Sequence, residues 1–181
     1  MPLVFHDRDA TRMCGVPRVC SETPAKQFRA LELLGSGEKV PLLTELLELV
    51  GGRAPLLLEL KSEANGARFA AQVLPLLAGY CGAVGVMSFD PGVGGWLAKN
   101  APRVRRGLVL SRRDILVVRW RKLMKARPEF LAVRYSAIRR PWVARARRRM
   151  PVYCWTIRSP AEHAQARVHA DALIWEADGR P

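Results

Sequence analysis

No apolar run in this sequence approaches the roughly 20 residues that a bilayer-spanning helix needs, and no charged, apolar and small-residue leader opens it. The chain therefore reads as soluble, unexported and cytoplasmic. Cysteine is sparse and scattered: Cys14, Cys20, Cys81 and Cys154 form no CxxC pair, and no histidines stand at zinc-finger spacing. Free buried thiols in a reducing compartment are the expectation. No GxGxxG follows an early strand, and Gly35-Ser36-Gly37 lacks the lysine and hydroxyl of a phosphate loop, so dinucleotide and nucleotide folds lose ground. Acidic residues are also few, with 16 Asp and Glu against 30 Lys and Arg.

That imbalance is local. Between Lys99 and Arg158 there are nineteen Lys or Arg against two acids, Asp114 and Glu129, whereas the remainder holds eleven bases against fourteen acids. Such a stretch invites an anionic partner, either nucleic acid or an anionic membrane surface. It suits better the solvated outer helices of an arginine-rich globular domain. Nucleic acid is the weaker reading, because the aromatics form no evident platform for base stacking and no recognisable nucleic-acid motif is present.

What the chain does have is enough apolar material, 49% over 181 residues, to close one core, and residues 1–181 are expected to form a single domain. Past residue 50, short continuous apolar runs alternate with longer helical stretches. The runs cover 55–60, 84–89, 107–111, 130–133, 152–157 and 172–175, each continuous as expected for a strand covered on both faces. Helices are predicted over 66–79, 91–100, 114–126, 141–149 and 160–169, with starts marked by Asp90-Pro91, Asp114 and Ser159-Pro160. Repeated βα units wind into a parallel sheet or barrel. A (β/α)8 barrel of the TIM type usually needs about 250 residues, so the expected fold is an incomplete one, lacking its first one or two strands.

Polar residues fall where such a barrel places its chemistry. Glu59 and Lys61 alternate with Leu58 and Leu60 at the end of an apolar run, so both point to one face, which in a barrel is the interior mouth. A salt link between the two is the alternative. Ser88, Thr156 and Glu176 close other runs in the same way, and Trp155 stands beside Thr156.

These pieces occur in a telling order: His6-Asp7, Thr11-Arg12, Val40-Pro41-Leu42 leading into Leu46-Leu47, Leu58-Glu59-Leu60-Lys61, Met87-Ser88-Phe89, Trp155-Thr156 and Ala170-Asp171-Ala172-Leu173-Ile174. In that order they resemble the glycerophosphodiester phosphodiesterases along nearly the whole chain. The resemblance implies a barrel that hydrolyses glycerophosphodiesters to glycerol 3-phosphate and an alcohol, with a divalent metal, Mg²⁺ or Ca²⁺, and a pair of histidines. It assigns a catalytic role to His6, metal ligation to Glu59, and substrate contacts to Lys61 near the phosphate and to Trp155 in the pocket. The chemistry suits these types: a phosphodiester resists attack until cations neutralise its oxygens, and proton transfer calls for an imidazole-like group.

The sequence also departs from the family. The family's opening His-Arg-Gly, Glu-Asn-Thr and Glu-x-Asp motifs do not occur before His6, and Trp175-Glu176 stands where Thr-Asp is usual. The absent motifs carry the partner histidine and further metal carboxylates, and a lone carboxylate holds a hard cation poorly. Two outcomes are therefore set against each other. One is hydrolysis; the other is an impaired barrel that binds phosphate or anionic lipid without turnover.

Overall fold

In the computed structural model, residues 1–62 and 65–176 are described, and they divide into two compact units. The first comprises Met1–Leu56 with Ala71–Ala83, and the second Leu57–Ala70 with the chain from Val84 onward.

The first unit has little regular structure beyond helices. Thr11–Cys14 forms α1, Ala25–Arg29 forms α2 and Leu43–Val50 forms α3. Isolated antiparallel bridges join Leu3 to Leu42, Asp9 to Val19 and Glu32 to Lys39. Its core is small: Ala10, Phe28 and Val40 are fully buried, and Phe5 meets Phe28 edge-on with ring centroids 4.9 Å apart. Glu45 turns back to accept a hydrogen bond from the Leu42 amide at 2.8 Å, satisfying a donor that the first turn of α3 would otherwise leave open. The far end of α3 stops at Gly51, whose φ of +54° is left-handed.

The second unit carries the sheet. Strands β1 (Leu56–Glu59), β2 (Val84–Ser88), β3 (Arg105–Leu110), β4 (Phe130–Arg134), β5 (Val152–Ile157) and β6 (Ala172–Trp175) lie side by side in chain order. The pairs from β2 to β6 are all parallel. Helices α4 (Gly66–Leu77), α5 (Pro91–Asn100), α6 (Leu116–Ala126), α7 (Pro141–Arg147) and α8 (Pro160–Ala166) connect them. All five helices and all six strands read from periodicity are present, with ends shifted by a few residues. Sequential parallel order is the winding of a (β/α) barrel, in which every crossover has one hand and the helices share one face.

Side-chain parity confirms that division. Leu108, Leu110, Leu131, Val133, Val152 and Cys154 point to the face where Ala126 of α6, Val143 of α7 and Ala166 of α8 are buried. Their neighbours Met87, Val109, Phe130 and Ala132, with Phe89, Tyr153, Trp155 and Ile174, form a separate cluster on the opposite, helix-free face. Alternate residues leave a strand in opposite directions, so one continuous apolar run feeds two layers. There is no room on the helix-free face for a side chain at Gly107, where a Cβ would fall 2.2 Å from the Phe130 ring.

Three sequence expectations need correction. Asp114 does not begin a helix: α6 starts at Leu116 behind an extended Ile115, and Asp114 instead accepts from the Ser111 amide at 2.6 Å and pairs with Lys122 at 2.7 Å. A carboxylate so occupied closes the turn rather than capping the helix. The cysteines are free, but they are not uniformly buried: Cys81 is exposed, Cys14 and Cys20 are half-buried, and Cys154 alone is buried. Burial pushes the Cys154 thiol up to about 12, which keeps it protonated and unreactive. Finally, coverage on both faces holds for the middle strands but not for β1, where Leu57 is exposed. An edge strand has only one neighbour to cover it.

The seat of α5 on α6 depends on small residues. A Cβ at Gly94 would come within 2.6 Å of the Ala126 carbonyl oxygen, and one at Gly95 within 2.6 Å of the Lys125 carbonyl oxygen. Backbone cannot move aside as a flexible side chain can. Gly94→Val is expected to lower unfolding stability by about 1–3 kcal/mol through overpacking, measured as a shift in the urea midpoint; an unchanged midpoint would show that the helices separate freely.

Candidate active site

The site residues predicted from sequence fall in both units. In the first unit, His6 and Asp7 stand ahead of α1. His6 Nδ1 lies 2.8 Å from Asp7 Oδ1, and Arg12 donates to the same carboxylate twice, from Nε at 2.6 Å and Nη2 at 2.8 Å. The fork geometry of the guanidinium matches the two carboxylate oxygens. Hydrogen bonds from Arg12, and then from His6, hold the Asp7 carboxyl down to about 2. Asp7 is therefore ionised throughout the physiological range, a fixed acceptor for the imidazole. A carboxylate at Nδ1 selects the tautomer and leaves Nε2 as the ring position for outside chemistry. The His6 side chain is 63% exposed, which suits contact with a small molecule.

In the second unit, Glu59 ends β1. Leu57 approaches Gly85 on β2, which has the parity of Met87, so Leu57 and Glu59 share the helix-free face with Met87. Lys61, just past the strand, donates to Glu59 Oε1 at 2.9 Å. The salt link set out as an alternative is thus formed. Both side chains remain partly open to water, so the pair carries little of the desolvation cost of a buried one and each charge can still meet a ligand.

Ser88 has a structural task. It is buried, donates to the Leu60 carbonyl oxygen at 2.6 Å and accepts from the Asp90 amide at 3.1 Å, tying the chain beyond β1 to the end of β2. Asp90 in turn caps α5 through the Gly92 amide at 2.7 Å and accepts from the Gly66 amide at 3.0 Å. Glu176 is taken up by Arg158, which donates from Nε at 3.0 Å. Thr156 is half-buried, and its peptide with Trp155 is cis.

Trp155 lies on the helix-free face with Phe89 against it edge-on, ring centroids 5.6 Å apart. Its buried indole Nε1–H has no acceptor among the described residues. Buried donors are normally satisfied, so this one suits a water or a ligand oxygen. Arg134 was missed from sequence. It is the last residue of β4, pairs in register with Trp155, and places its guanidinium 5.5 Å from the indole centroid. The predicted strand ended at Val133; a charge directly after a continuous apolar run, as Lys61 is after 55–60, is the signal that could have flagged it.

The face that carries Glu59, Trp155 and Arg134 thus offers a carboxylate, a guanidinium, an aromatic wall and a spare donor towards the C-terminal ends of the strands. In barrels this is the end at which chemistry gathers. A cleft of about 470 Å³ lies elsewhere, lined in part by Arg139, Arg147, Arg148 and His169. Arg147 there binds Asp171, which accepts from the Val152 amide at the start of β5, so the cleft sits at the opposite strand ends.

A divalent cation fits the described residues poorly. Mg²⁺ and Ca²⁺ take six or more oxygen donors. Among the described residues no three His, Cys, Asp or Glu side chains converge as a metal would require, and one Glu59 oxygen already accepts from Lys61. A cation on Glu59 would need donors beyond these.

No protein-family model matches the sequence, and no curated protein matches it. Solved structures do match. An Oleispira antarctica phosphodiesterase in complex with the product sn-glycerol-3-phosphate superposes with a TM-score of 0.81 at 19% identity, covering 96% of this chain and 74% of that one. A glycerophosphodiester phosphodiesterase from Parabacteroides distasonis gives 0.76 at 18% identity, over 96% and 73%. One from Thermotoga maritima gives 0.75 at 20%, over 96% and 74%. At these identities the likeness is one of fold, and the fold is that of the glycerophosphodiester phosphodiesterases over almost all of this chain.

Proposed function

We propose that this chain is a glycerophosphodiester phosphodiesterase domain, which hydrolyses small glycerophosphodiesters to glycerol 3-phosphate and an alcohol in phospholipid breakdown, in the cytoplasm. The observation that carries the reading is the placement of Glu59 and Lys61 at the end of β1 and of Trp155 on the helix-free face of β5, within a fold shared with proteins of that activity. Read as a barrel of the eight-strand type, the sheet supplies six strands of it.

Each residue then has a task. The ammonium of Lys61 faces the phosphodiester anion, and Arg134 adds a second cation at the end of β4. Trp155 forms an apolar wall for the glycerol carbons, and its indole N–H is a donor for a substrate oxygen. His6, steadied by Asp7 and Arg12, exchanges the proton that the attacking glycerol hydroxyl loses or the departing oxygen gains. The reaction expected is attack of that hydroxyl on phosphorus with expulsion of the alcohol, followed by opening of the cyclic phosphate by water. A divalent ion with Glu59 among its ligands would supply neutralisation of the phosphoryl oxygens. The described residues do not complete such a site by themselves.

The test is release of glycerol 3-phosphate from glycerophosphocholine by the purified chain, with Mg²⁺ or Ca²⁺ and with EDTA. Release above the protein-free control is expected. A folded protein that binds glycerol 3-phosphate but releases none would replace hydrolysis by phosphate binding without turnover.

A further inference from the structure

Helix α6 has an unusual outer surface. Leu116, Val117, Trp120 and Met124 recur at the spacings that place them within about 100° of one another around a helix, and all four are exposed, Leu116 at 73%, Trp120 at 61% and Met124 at 62%. Ile115, just before the helix, extends the stripe and is 67% exposed. Most isolated apolar residues on a surface need no explanation, but a contiguous aliphatic and aromatic stripe marks a contact surface.

The charges around the stripe are of one sign. Arg112, Arg113, Arg121 and Lys125 are all exposed beside it. From Ser111 to Arg127 the sequence has seven bases and one acid, Asp114. That acid is buried and already paired with Lys122, so it does not offset the exposed bases. The inner face of the helix is fixed by the glycine contacts to α5 and by Arg119, whose guanidinium lies 4.1 Å from the Trp142 ring centroid. The stripe is therefore presented outward by a firmly seated helix. Its first residues follow directly on the C-terminal end of β3, the strand end at which barrel chemistry gathers.

We propose that the outer face of α6, led by Ile115 and Leu116, docks on an anionic phospholipid surface. An amphipathic helix that lies in the interface buries aliphatic and tryptophan side chains at the acyl boundary while lysine and arginine meet the headgroups. Basic residues next to it are attracted by the negative potential of acidic lipids. A second copy of the chain is a poorer occupant, because a symmetric contact would set the same arginines and lysines against one another. Docking in this way brings the C-terminal end of β3 to the lipid. The inference stands apart from the proposed hydrolysis and does not depend on turnover.

The experiment is co-sedimentation of the full chain with phosphatidylcholine vesicles, with and without phosphatidylglycerol, at low and high salt. Binding is expected for the phosphatidylglycerol vesicles at low salt and to fall as salt rises. The double variant Trp120→Ser, Met124→Ser alters only exposed side chains, so its circular dichroism and thermal unfolding should match the parent while vesicle affinity falls by about tenfold or more. Arg121→Glu with Lys125→Glu should abolish the preference for phosphatidylglycerol. Brominated lipid should quench the parent's tryptophan emission and quench the Trp120→Phe variant less. No binding to phosphatidylglycerol vesicles, or equal binding by the serine variant, would overturn the proposal. A parent dimer that the serine variant converts to monomer would assign the face to a second copy instead.

Discussion

Replacing His6 with alanine is expected to lower kcat for glycerol 3-phosphate release from glycerophosphocholine by about 10²–10⁴-fold, the usual contribution of a positioned proton-transfer group. KM should change little, because the imidazole is assigned to proton transfer and the phosphate contacts to Lys61 and Arg134. The fold should be untouched: the side chain is largely exposed, and its hydrogen bond runs to a carboxylate that keeps both bonds from Arg12. Steady-state kinetics alongside thermal unfolding separates the two effects. If turnover by the alanine variant equals that of the parent, His6 has no part in the chemistry, and the role given to it by the ordered motifs falls. If activity and stability drop together, the residue serves the first unit's structure instead.

The largest loss of stability is expected at Leu131. It lies in the middle of β4, is 1% exposed, and belongs to the cluster that joins the sheet to α6, α7 and α8. Leu131→Ala should cost about 2–5 kcal/mol, the transfer free energy of the lost carbons together with a cavity that packed neighbours cannot collapse to fill. For a chain of this size that corresponds to a fall in Tm of about 2–4 °C per kcal/mol. Urea unfolding followed by circular dichroism measures it directly. A loss below about 1 kcal/mol would mean that the second unit's core is loosely packed at its centre.

Much of the architecture follows from local pattern. The strands at 152–157 and 172–175 and the helix at 91–100 have the bounds expected from the sequence. An apolar run bounded by turn residues and a capped helix start are properties of neighbouring residues. Asp90 and Ser159 accept from the amides of Gly92 and Glu162, as residues at helix starts commonly do. The parity of Glu59 and Lys61 is likewise local, and it alone sets both charges on one side of the strand.

Other features depend on residues far apart in the chain. Asp114 has the composition of a cap, yet the Lys122 ammonium and the Ser111 amide decide its use. Arg134 gains meaning only when β5 brings Trp155 alongside it. Which half of each apolar run faces helices and which half faces the helix-free side is set by what packs on the sheet, since a continuous run has no polar residue to mark its outer face. The stripe on α6 depends on partners too: packing of Ala126 against α5 and the sheet cluster is what leaves Leu116, Trp120 and Met124 outside. Periodicity determined the elements because backbone preference and side-chain spacing are local, and the tertiary structure alone decided the faces because burial is a property of partners.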